Sequence, residues 1–449
     1  MDDYGLDRVA DHGWRRQPGI FDGGLPHMTR TSSLSIEALG QKGDGLAHLG
    51  GEAVHVPFAL PGEQVLVEIE GSVGRLVAVE KASPTRIQPV CPLFQRCGGC
   101  SMQHLAASLY GDWKRELVLK ALSYGEIEYP VAVPIAAHGA GRRRVTLHTR
   151  FEQGKAISGF MASRSHKLVE IDTCPILVSG LERSSEVASA LAQALSKARK
   201  PLDVAITKTS AGLDVDIRGH GPVSPSLRQY LAREAERLDL ARLSIHGDPI
   251  IIRRPPIVQM GTASVVLPPG SFLQATELGE ETLAFLVVNA LSGAKSVADL
   301  FCGVGPFALR LAKSSKVHAV DSDQPAIGAL DRAARETSDL RPLTTEARDL
   351  FRRPLLAQEL NAFDALVFDP PRVGAEAQAL EIARSNVRLV AAVSCNSTSF
   401  ARDARILIDG GYKLNALTLV DQFLYSAHIE LVGIFEKKPE TKRPRRLLG

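Results

Sequence analysis

The sequence predicts a multidomain α/β protein with a small N-terminal β-barrel, a central α+β domain and a C-terminal doubly wound sheet. The first observation is length, because 449 residues exceed the roughly 100–200 residues of one ordinary domain. The second is a series of short alternating apolar segments with turn residues between them at 33–82, which is typical of a small barrel. The third is the alternation of strands and helices after Gly270, which indicates a mostly parallel sheet.

We divide the chain into five parts on this basis. They are a flexible leader at 1–29, a barrel at 30–85, a central domain at 86–265, a doubly wound domain at 266–437 and a basic tail at 438–449. The leader lacks apolar periodicity, and Met28 could serve as the real start. Apolar residues at 45% and charged residues at 23% are ordinary for globular proteins, so each domain can bury a core.

Charge and apolar runs restrict the class of protein. The formal net charge of +3 permits a nucleic-acid partner without requiring one. No run approaches the roughly 18 apolar residues of a membrane span, and the first residues do not resemble a signal peptide. We therefore expect a cytoplasmic protein without membrane contact. Its six cysteines are too sparse for a disulfide scaffold.

The barrel is predicted from the segments LSIEAL, AVHVPF and QVLVEIE, which the turn sequences QKGDG, LGG and LPGE separate. Small barrels commonly bind oligonucleotides, although the same pattern suits a purely structural barrel.

Four cysteines mark the central domain. Cys91, Cys97 and Cys100 lie within ten residues of one another, and Cys174 follows much later. Thiolates select zinc or iron-sulfur clusters, and structural zinc sites usually pair two Cys-x-x-Cys knuckles. Three clustered cysteines with one distant cysteine favour a 4Fe-4S cluster, and Gly98–Gly99 would let backbone amides face the sulfurs. Unligated buried cysteines are the alternative.

The rest of the central domain carries less information. A helix is predicted over about 104–123, and Arg142, Arg143 and Arg144 lead into an alternating strand. These arginines could contact phosphates, and a solvated strand edge is an equally good interpretation. The remainder, 176–260, suggests further α+β structure without evident chemistry.

The doubly wound domain begins with a strand that runs into a glycine turn, Cys302-Gly-Val-Gly305. The next strand ends at Asp321, where a carboxylate can bind the ribose of a nucleotide. The turn lacks the third glycine of a pyrophosphate fingerprint, and Asp299 before it would repel phosphate but could accept from an ammonium. This favours S-adenosylmethionine, with an NAD-dependent dehydrogenase as the weaker alternative.

Two further strands end in reactive groups. One ends at Asp369-Pro-Pro-Arg372, in which Arg372 replaces the aromatic ring expected for amino-group methylation. The other ends at Cys395, a candidate nucleophile because the carboxyl ends of parallel strands form the ligand edge of such sheets. A buried structural cysteine is the alternative.

Glu430 is the candidate general base. Period-two alternation in the strand SAHIELVGIF places His428 and Glu430 on one face. Methylation of a carbon such as uracil C5 needs both groups, because a thiolate must first attack C6 and a base must later remove the C5 proton. A solvated edge strand and a metal site of Asp421, His428 and Glu430 are the alternatives.

Together these motifs resemble the RNA 5-methyluridine methyltransferases, especially the iron-sulfur branch that acts on 23S ribosomal RNA. The resemblance spans about 33–437 and includes LPGE, the four cysteines, SFLQAT, DLFCGVGPF, FDPPR, SCNSTSFARD and HIE. It implies a TRAM-like (OB-like) barrel and a Rossmann-like class I methyltransferase domain. It also implies a 4Fe-4S cluster and S-adenosylmethionine as cofactors, with RNA as the partner. Cys395 would be the nucleophile and Glu430 the base, while the residues at the cofactor pocket would be Gln274, Phe301, Asp321, Asp349 and Asp369.

Three positions depart from the family pattern: Thr276, Asp321 and Leu424 stand where Asn, Glu and Pro are usual. None removes a reactive group. We expect a monomer without an obligate protein partner. The same reaction on tRNA, and a non-catalytic iron-sulfur RNA-binding protein, are the alternative functions.

Overall fold

The computed structural model describes residues 30–196 and 200–438. The predicted leader, and all of the predicted tail after its first residue, lie outside these ranges.

The N-terminal region is one six-stranded sheet whose residues share a single core. Its strands are β1 (Arg30–Ser35), β2 (Ala38–Leu39), β3 (Gly45–Leu49), β4 (Glu52–Val56), β5 (Gln64–Glu70) and β6 (Val73–Lys81), in the order β1-β5-β6-β4-β3-β2. Leu34 of β1, Ala47 of β3 and Val67 of β5 meet in one buried cluster. Strands from both ends of the sheet order thus enclose the same core, as a barrel-like sheet requires.

A helix and a short strand follow the cysteine-rich segment. They are α1 (Ala107–Tyr124) and β7 (Ile135–Ala136). The predicted helix is therefore confirmed to within a few residues. Val118 and Leu122 of α1 belong to the same buried core as Leu300 and Leu366 of the C-terminal sheet.

The central region is a seven-stranded sheet with two helices. Its elements are β8 (Arg144–Glu152), β9 (Lys155–Met161), β10 (Leu168–Glu170), α2 (Ser184–Ala194), β11 (Leu202–Thr209), β12 (Gly212–Arg218), α3 (Pro225–Arg237), β13 (Arg242–Ile245) and β14 (Asp248–Ile252). The strand order is β10-β9-β8-β11-β12-β13-β14, with only the β12–β13 pair parallel. Leu191 of α2 and Leu231 of α3 are buried in the core of this sheet.

A hairpin and a helix lead into the last region. They are β15 (Ile257–Met260), β16 (Ala263–Val266) and α4 (Glu277–Ala290). Thr276 caps α4, because its hydroxyl accepts from Gly279 N at 2.9 Å and donates to Ala137 O at 2.6 Å. Threonine in place of the usual asparagine therefore still supplies a helix cap.

The C-terminal region is the predicted doubly wound sheet. Its elements are β17 (Ser296–Leu300), α5 (Ala308–Leu311), β18 (Lys316–Asp321), α6 (Gln324–Glu336), β19 (Leu343–Ala347), α7 (Ala357–Leu360), β20 (Ala365–Phe368), α8 (Glu376–Arg384), β21 (Leu389–Ser394), α9 (Ser397–Asp409), β22 (Tyr412–Asp421) and β23 (Glu430–Lys437). The strand order is β19-β18-β17-β20-β21-β23-β22-β7. Two separate apolar cores contact the sheet, as helices on both faces require.

The strand β7 adds to the far edge of this sheet by pairing with β22, although it precedes the central sheet in sequence. The predicted domain boundaries remain predictions. Within the described part of the chain, no helix is long and apolar enough to cross a membrane.

Candidate active site

The candidate site lies at the carboxyl edge of the C-terminal sheet. Strands β17, β18, β20 and β21 are parallel to one another, so all four end at the same edge. The residues that directly follow or end them are Phe301, Asp321, Asp369 and Cys395. Ligands bind at this edge in open α/β sheets, and the structure brings these four predicted residues to it.

Cys395 and Glu430 are brought together by the pairing of β21 with β23. Ser394 is opposite Leu431 in this antiparallel pair. Continuing the register by one pair places Cys395 opposite Glu430. Burial raises the pKa of the Cys395 thiol to about 11, and the negative charges of Glu430 and Asp369 add to the rise. The thiol and both carboxylates therefore share one electrostatic environment.

Glu430 is almost completely buried, with 3% of its surface exposed. Its Oε1 accepts a hydrogen bond from Gln422 Nε2 at 3.0 Å, whereas its Oε2 has no hydrogen-bond partner among the described residues. Burial raises the pKa of Glu430, and the neighbouring Asp369 raises it further. A carboxylate with one free oxygen and a raised pKa can accept a proton from a substrate.

Gln274 and Asp369 are directly bonded. Gln274 Nε2 donates to Asp369 Oδ2 at 3.1 Å, and burial raises the pKa of Asp369. Gln274 lies two residues before Thr276, the cap of α4, and only 4% of its surface is exposed. Gln274 and Asp369, both predicted at the cofactor pocket, therefore form one hydrogen-bonded pair beside Glu430.

Arg372 is the positive group of the site. Its guanidinium lowers the pKa of Cys395, against the larger effect of burial, and its Nη2 lies 2.6 Å from His428 Nδ1. The strand predicted over SAHIELVGIF begins only at Glu430, so placing His428 in a strand was wrong. His428 lies in the preceding loop and contacts Arg372.

The alternative metal site of Asp421, His428 and Glu430 has no geometric support. Asp421 Oδ1 accepts from Lys114 Nζ at 2.5 Å, so its carboxylate is paired elsewhere. Within the described residues 30–196 and 200–438, these three side chains do not form a group that could hold a metal ion.

The turn after β17 is built for close approach of a ligand. Phe301 has φ of +61°, which costs free energy for a residue with a side chain and is characteristic of functional sites. Asp299 is fully buried, and neither of its carboxylate oxygens has a hydrogen-bond partner among the described residues. Burial raises its pKa well above the usual range. An unpaired carboxyl here suits a cationic ligand group.

Asp321 supports the same turn. Its Oδ2 accepts from Gly303 N at 2.9 Å, and its Oδ1 accepts from Asp323 N at 2.8 Å. Asp321 thus fixes the backbone of the glycine turn from the end of the neighbouring strand. Each carboxylate oxygen can accept a second hydrogen bond, so both retain capacity for a ligand.

Asp349 lies in the loop after β19 and forms a local turn. Its Oδ1 accepts from Phe351 N at 2.9 Å and from Arg352 N at 3.2 Å. The Phe351 ring, 47% exposed, lies 5.4 Å from the Phe301 ring between centroids. Phe351 was not predicted from the sequence. Its position as an aromatic residue two residues after Asp349, a predicted ligand contact, was a signal that could have indicated it.

The four clustered cysteines lie around one cavity. Cys91, Cys97, Cys100 and Cys174 all line a space of about 820 Å³, and all are free thiols. Gly99 N donates to Cys97 Sγ at 3.4 Å, as expected for amides that face the sulfurs. The 4Fe-4S cluster predicted from these cysteines stays a prediction.

Two buried residues that the sequence analysis did not single out, Gln422 and Lys114, also belong to the site region. Gln422 Nε2 donates to Gln274 Oε1 at 2.6 Å as well as to Glu430. Lys114 Nζ donates to the backbone oxygens of Phe423 at 3.2 Å and His428 at 2.7 Å. Neither residue belongs to a recognisable sequence motif, because each contributes through contacts with residues that are distant in sequence.

The chain is similar to several known proteins. Residues 267–438 match the family described as tRNA (uracil-5-)-methyltransferase. An uncharacterized RNA methyltransferase from Brucella suis is 43% identical over 409 residues, which cover 91% of this chain and 99% of that protein. The 23S rRNA (uracil(1939)-C(5))-methyltransferase RlmD of Shewanella woodyi is 30% identical, with 90% of this chain and 95% of that protein covered.

One solved structure shares the fold over nearly the whole chain. The tRNA (uracil-54, C5)-methyltransferase of Pyrococcus abyssi in complex with S-adenosyl-L-homocysteine aligns with a TM-score of 0.68 and 21% identity. The alignment covers 90% of this chain and 99% of that one.

Proposed function

Because this chain belongs to the S-adenosylmethionine-dependent RNA uracil-C5 methyltransferases, we propose that it methylates C5 of a specific uridine in 23S ribosomal RNA through a covalent adduct. The observation that carries the proposal is the continuation of the β21–β23 register into Cys395 and Glu430. It unites a thiol and a buried carboxylate with one free oxygen at the ligand edge of the sheet.

The thiol is needed because uracil C5 is a weak nucleophile. The Cys395 thiolate adds to C6, forming a carbon–sulfur bond, and the electrons of the C5–C6 double bond move into an enolate. S-adenosylmethionine supplies an electrophilic methyl group when bound. C5 of the enolate would take up that methyl group as the methyl–sulfonium bond breaks, which leaves S-adenosyl-L-homocysteine and a tetrahedral C5 that still carries its hydrogen.

Glu430 completes the cycle. Its free Oε2 removes the proton that remains on C5, the C5–C6 double bond forms again, and the C6–sulfur bond breaks. Cys395 is released as a thiolate, and Glu430 holds the proton until solvent takes it. The raised pKa of Glu430 makes it a stronger base than an exposed glutamate.

The residues at the carboxyl edge fit S-adenosylmethionine. The buried carboxyl of Asp299, which has no hydrogen-bond partner among the described residues, suits an ammonium or sulfonium, which would offset the cost of burying it. Asp321 would bind the ribose, and Phe301 and Asp349 would border the adenine. Gln274 and Asp369 would bound the pocket on the side of Cys395.

We propose further that Cys91, Cys97, Cys100 and Cys174 bind a 4Fe-4S cluster. Support comes from four free thiols around one cavity of about 820 Å³ and from the Gly99 amide that faces Cys97. The ligand spacing also favours a cluster over zinc, because structural zinc sites usually pair two Cys-x-x-Cys knuckles, whereas here one distant cysteine joins three that lie close in sequence.

Ribosomal RNA is favoured over tRNA as the substrate. The relative named for 23S rRNA is 30% identical, whereas the tRNA enzyme of similar structure is 21% identical. A non-catalytic RNA-binding protein is disfavoured, because it would have no need of a buried Glu430 with a free oxygen beside Cys395.

Mass-spectrometric measurement of 5-methyluridine tests the substrate. Ribosomal RNA and tRNA would be isolated separately from a deletion strain and digested to nucleosides. We expect the amount of 5-methyluridine in the 23S rRNA fraction to decrease in the deletion strain. The wild-type gene should restore this amount, and the Cys395→Ala gene should not. Loss confined to tRNA would overturn the rRNA assignment, and no loss in either fraction would overturn the proposed function.

A further inference from the structure

Gln422 joins the two halves of the candidate site. It directly follows β22, and only 1% of its surface is exposed. Its Nε2 donates to Gln274 Oε1 at 2.6 Å and to Glu430 Oε1 at 3.0 Å. Since Gln274 donates in turn to Asp369 at 3.1 Å, an unbroken chain of hydrogen bonds runs from Asp369 to Glu430.

The direction of these bonds is fixed by the surroundings of the Gln422 amide. Its Oε1 accepts from Thr276 N at 3.3 Å, so the amide nitrogen faces the two acceptors. Both donors and the acceptor of the Gln422 side chain are therefore used. A flipped amide would place an oxygen against Gln274 Oε1 and Glu430 Oε1, which is unfavourable.

The backbone beside Gln422 is held on both sides. Lys114 Nζ bonds Asp421 Oδ1 at 2.5 Å and Phe423 O at 3.2 Å. Packing is also tight, because a Cβ at Gly279 would lie 2.7 Å from Gln422 Oε1. The Gln422 side chain therefore has little freedom to move away from Glu430.

We infer that Gln422 is the positioning residue for the proton-removal step: it holds Oε1 of Glu430, so that the free Oε2 receives the C5 proton. The inference rests on the proposed function. It assigns different tasks to the two oxygens of one buried carboxylate, one of which is bonded and the other of which has no partner in the part of the chain that the structure describes.

This assignment separates Gln422 from the earlier steps. The side chain bonds Gln274, Glu430 and Thr276, and none of these bonds involves Cys395. Removal of its donors should leave thiol addition and methyl transfer largely intact. Proton removal should slow, because a general base must be accurately placed to act. The methylated RNA should then stay joined to Cys395.

The test uses full-length protein, methyl-labelled S-adenosylmethionine and total RNA from a deletion strain. Label retained on protein in a denaturing gel measures the adduct, and label in free RNA measures release. In Gln422→Met, which keeps the approximate volume but donates nothing, we expect release to slow about tenfold or more while first-turnover transfer changes less than about threefold. Gln422→Glu keeps an acceptor for Thr276 but has no amide donors, and should also accumulate adduct.

Gln378→Met is the matched control. Gln378 is equally buried, at 1% exposure, and its amide bonds Leu355 N at 2.9 Å and Leu355 O at 3.0 Å. Its loss should lower thermal stability without raising the share of label on protein.

Three outcomes decide the inference. Adduct accumulation in both Gln422 variants, but not in Gln378→Met, supports it. Release at the wild-type rate, or equal slowing of transfer and release, overturns it while leaving the proposed function in place. If the wild-type protein neither methylates RNA nor forms an adduct with 5-fluorouridine RNA, the proposed function itself fails, and the inference falls with it.

Discussion

Cys395 is a nucleophile in surroundings that oppose its ionisation. Burial, Glu430 and Asp369 raise the pKa of its thiol to about 11, and Arg372 acts against them. Below that pH the thiolate fraction increases about tenfold per pH unit. The reactivity of Cys395 should therefore rise with pH across the neutral range, and Arg372 should set how much thiolate is present.

Replacement of Arg372 by methionine should raise the pKa of Cys395 further. At a fixed pH near 8, iodoacetamide should then alkylate Cys395 more slowly, by about threefold or more, because only the thiolate reacts. Peptide mass spectrometry over a pH series measures this without RNA. The control is Arg388→Met, which removes an exposed guanidinium paired with Glu436. Identical pH profiles for Arg372→Met and wild type would refute the role of Arg372.

The sequence alone could predict where the reactive residues lie, but not which residues hold them in position. Cys395 and Asp369 each follow a predicted strand, so their shared edge follows from the parallel sheet. Gln422 could not be predicted, because its bonds depend on the pairing of β22 with β23 and on the position of Gln274. Lys114 was missed for the same reason, because its partners lie in other elements.

The loop at 421–429 is the element that sets the position of Glu430. Lys114 of α1 bonds Asp421, Phe423 and His428, and the amides of Ser101 and Met102 donate to Tyr425 O at 2.8 and 3.1 Å. Tyr425 has φ of +61°, which interrupts extended backbone. These contacts explain why the predicted strand begins at Glu430 instead of at Ser426.

Loss of Lys114 should loosen this loop. Lys114→Met would remove the cation that pairs with the buried carboxylate of Asp421, a change that costs roughly 3–5 kcal/mol. Hydrogen exchange in peptides covering 421–429 should become about tenfold faster or more. Lys120→Met, at an exposed position of the same helix, is the control and should leave exchange unchanged. Unaltered exchange in Lys114→Met would contradict the anchoring role.

At the scale of the molecule, buried ion pairs and hydrogen bonds join the central and C-terminal regions. Arg143 bonds Glu280 at 2.5 Å and Gln274 O at 3.1 Å, and Arg310 bonds the other oxygen of Glu280 at 3.1 Å. Arg143 is 8% exposed, so predicting it as a phosphate contact or a solvated edge was wrong. Sequence alternation alone could not show this, because the partner Glu280 is 137 residues away.

The proposed cluster would link two regions of the molecule. Cys100 directly precedes Ser101 and Met102, whose amides donate to Tyr425 O in the C-terminal region. Protein purified without oxygen should contain about four iron and four sulfide per chain. Cys97→Ser and Cys100→Ser should lose iron and give less folded protein, since a metal-closed loop contributes to folding. Cys302→Ala, outside the cysteine cavity, should keep its iron. Stoichiometric zinc without iron, or full yield of a cluster-free variant, would contradict the proposal.

The central claim is that Cys395 and Glu430 act at opposite ends of one covalent reaction. The most direct measurement is a denaturing gel of each variant incubated with labelled S-adenosylmethionine and RNA. Cys395→Ala should give neither methylated RNA nor adduct, because C5 never becomes nucleophilic. Glu430→Gln should transfer the methyl group but retain the RNA on Cys395, because the C5 proton stays in place. Methylation by Cys395→Ala, or the absence of any adduct in Glu430→Gln and in wild type with 5-fluorouridine RNA, would contradict the covalent mechanism.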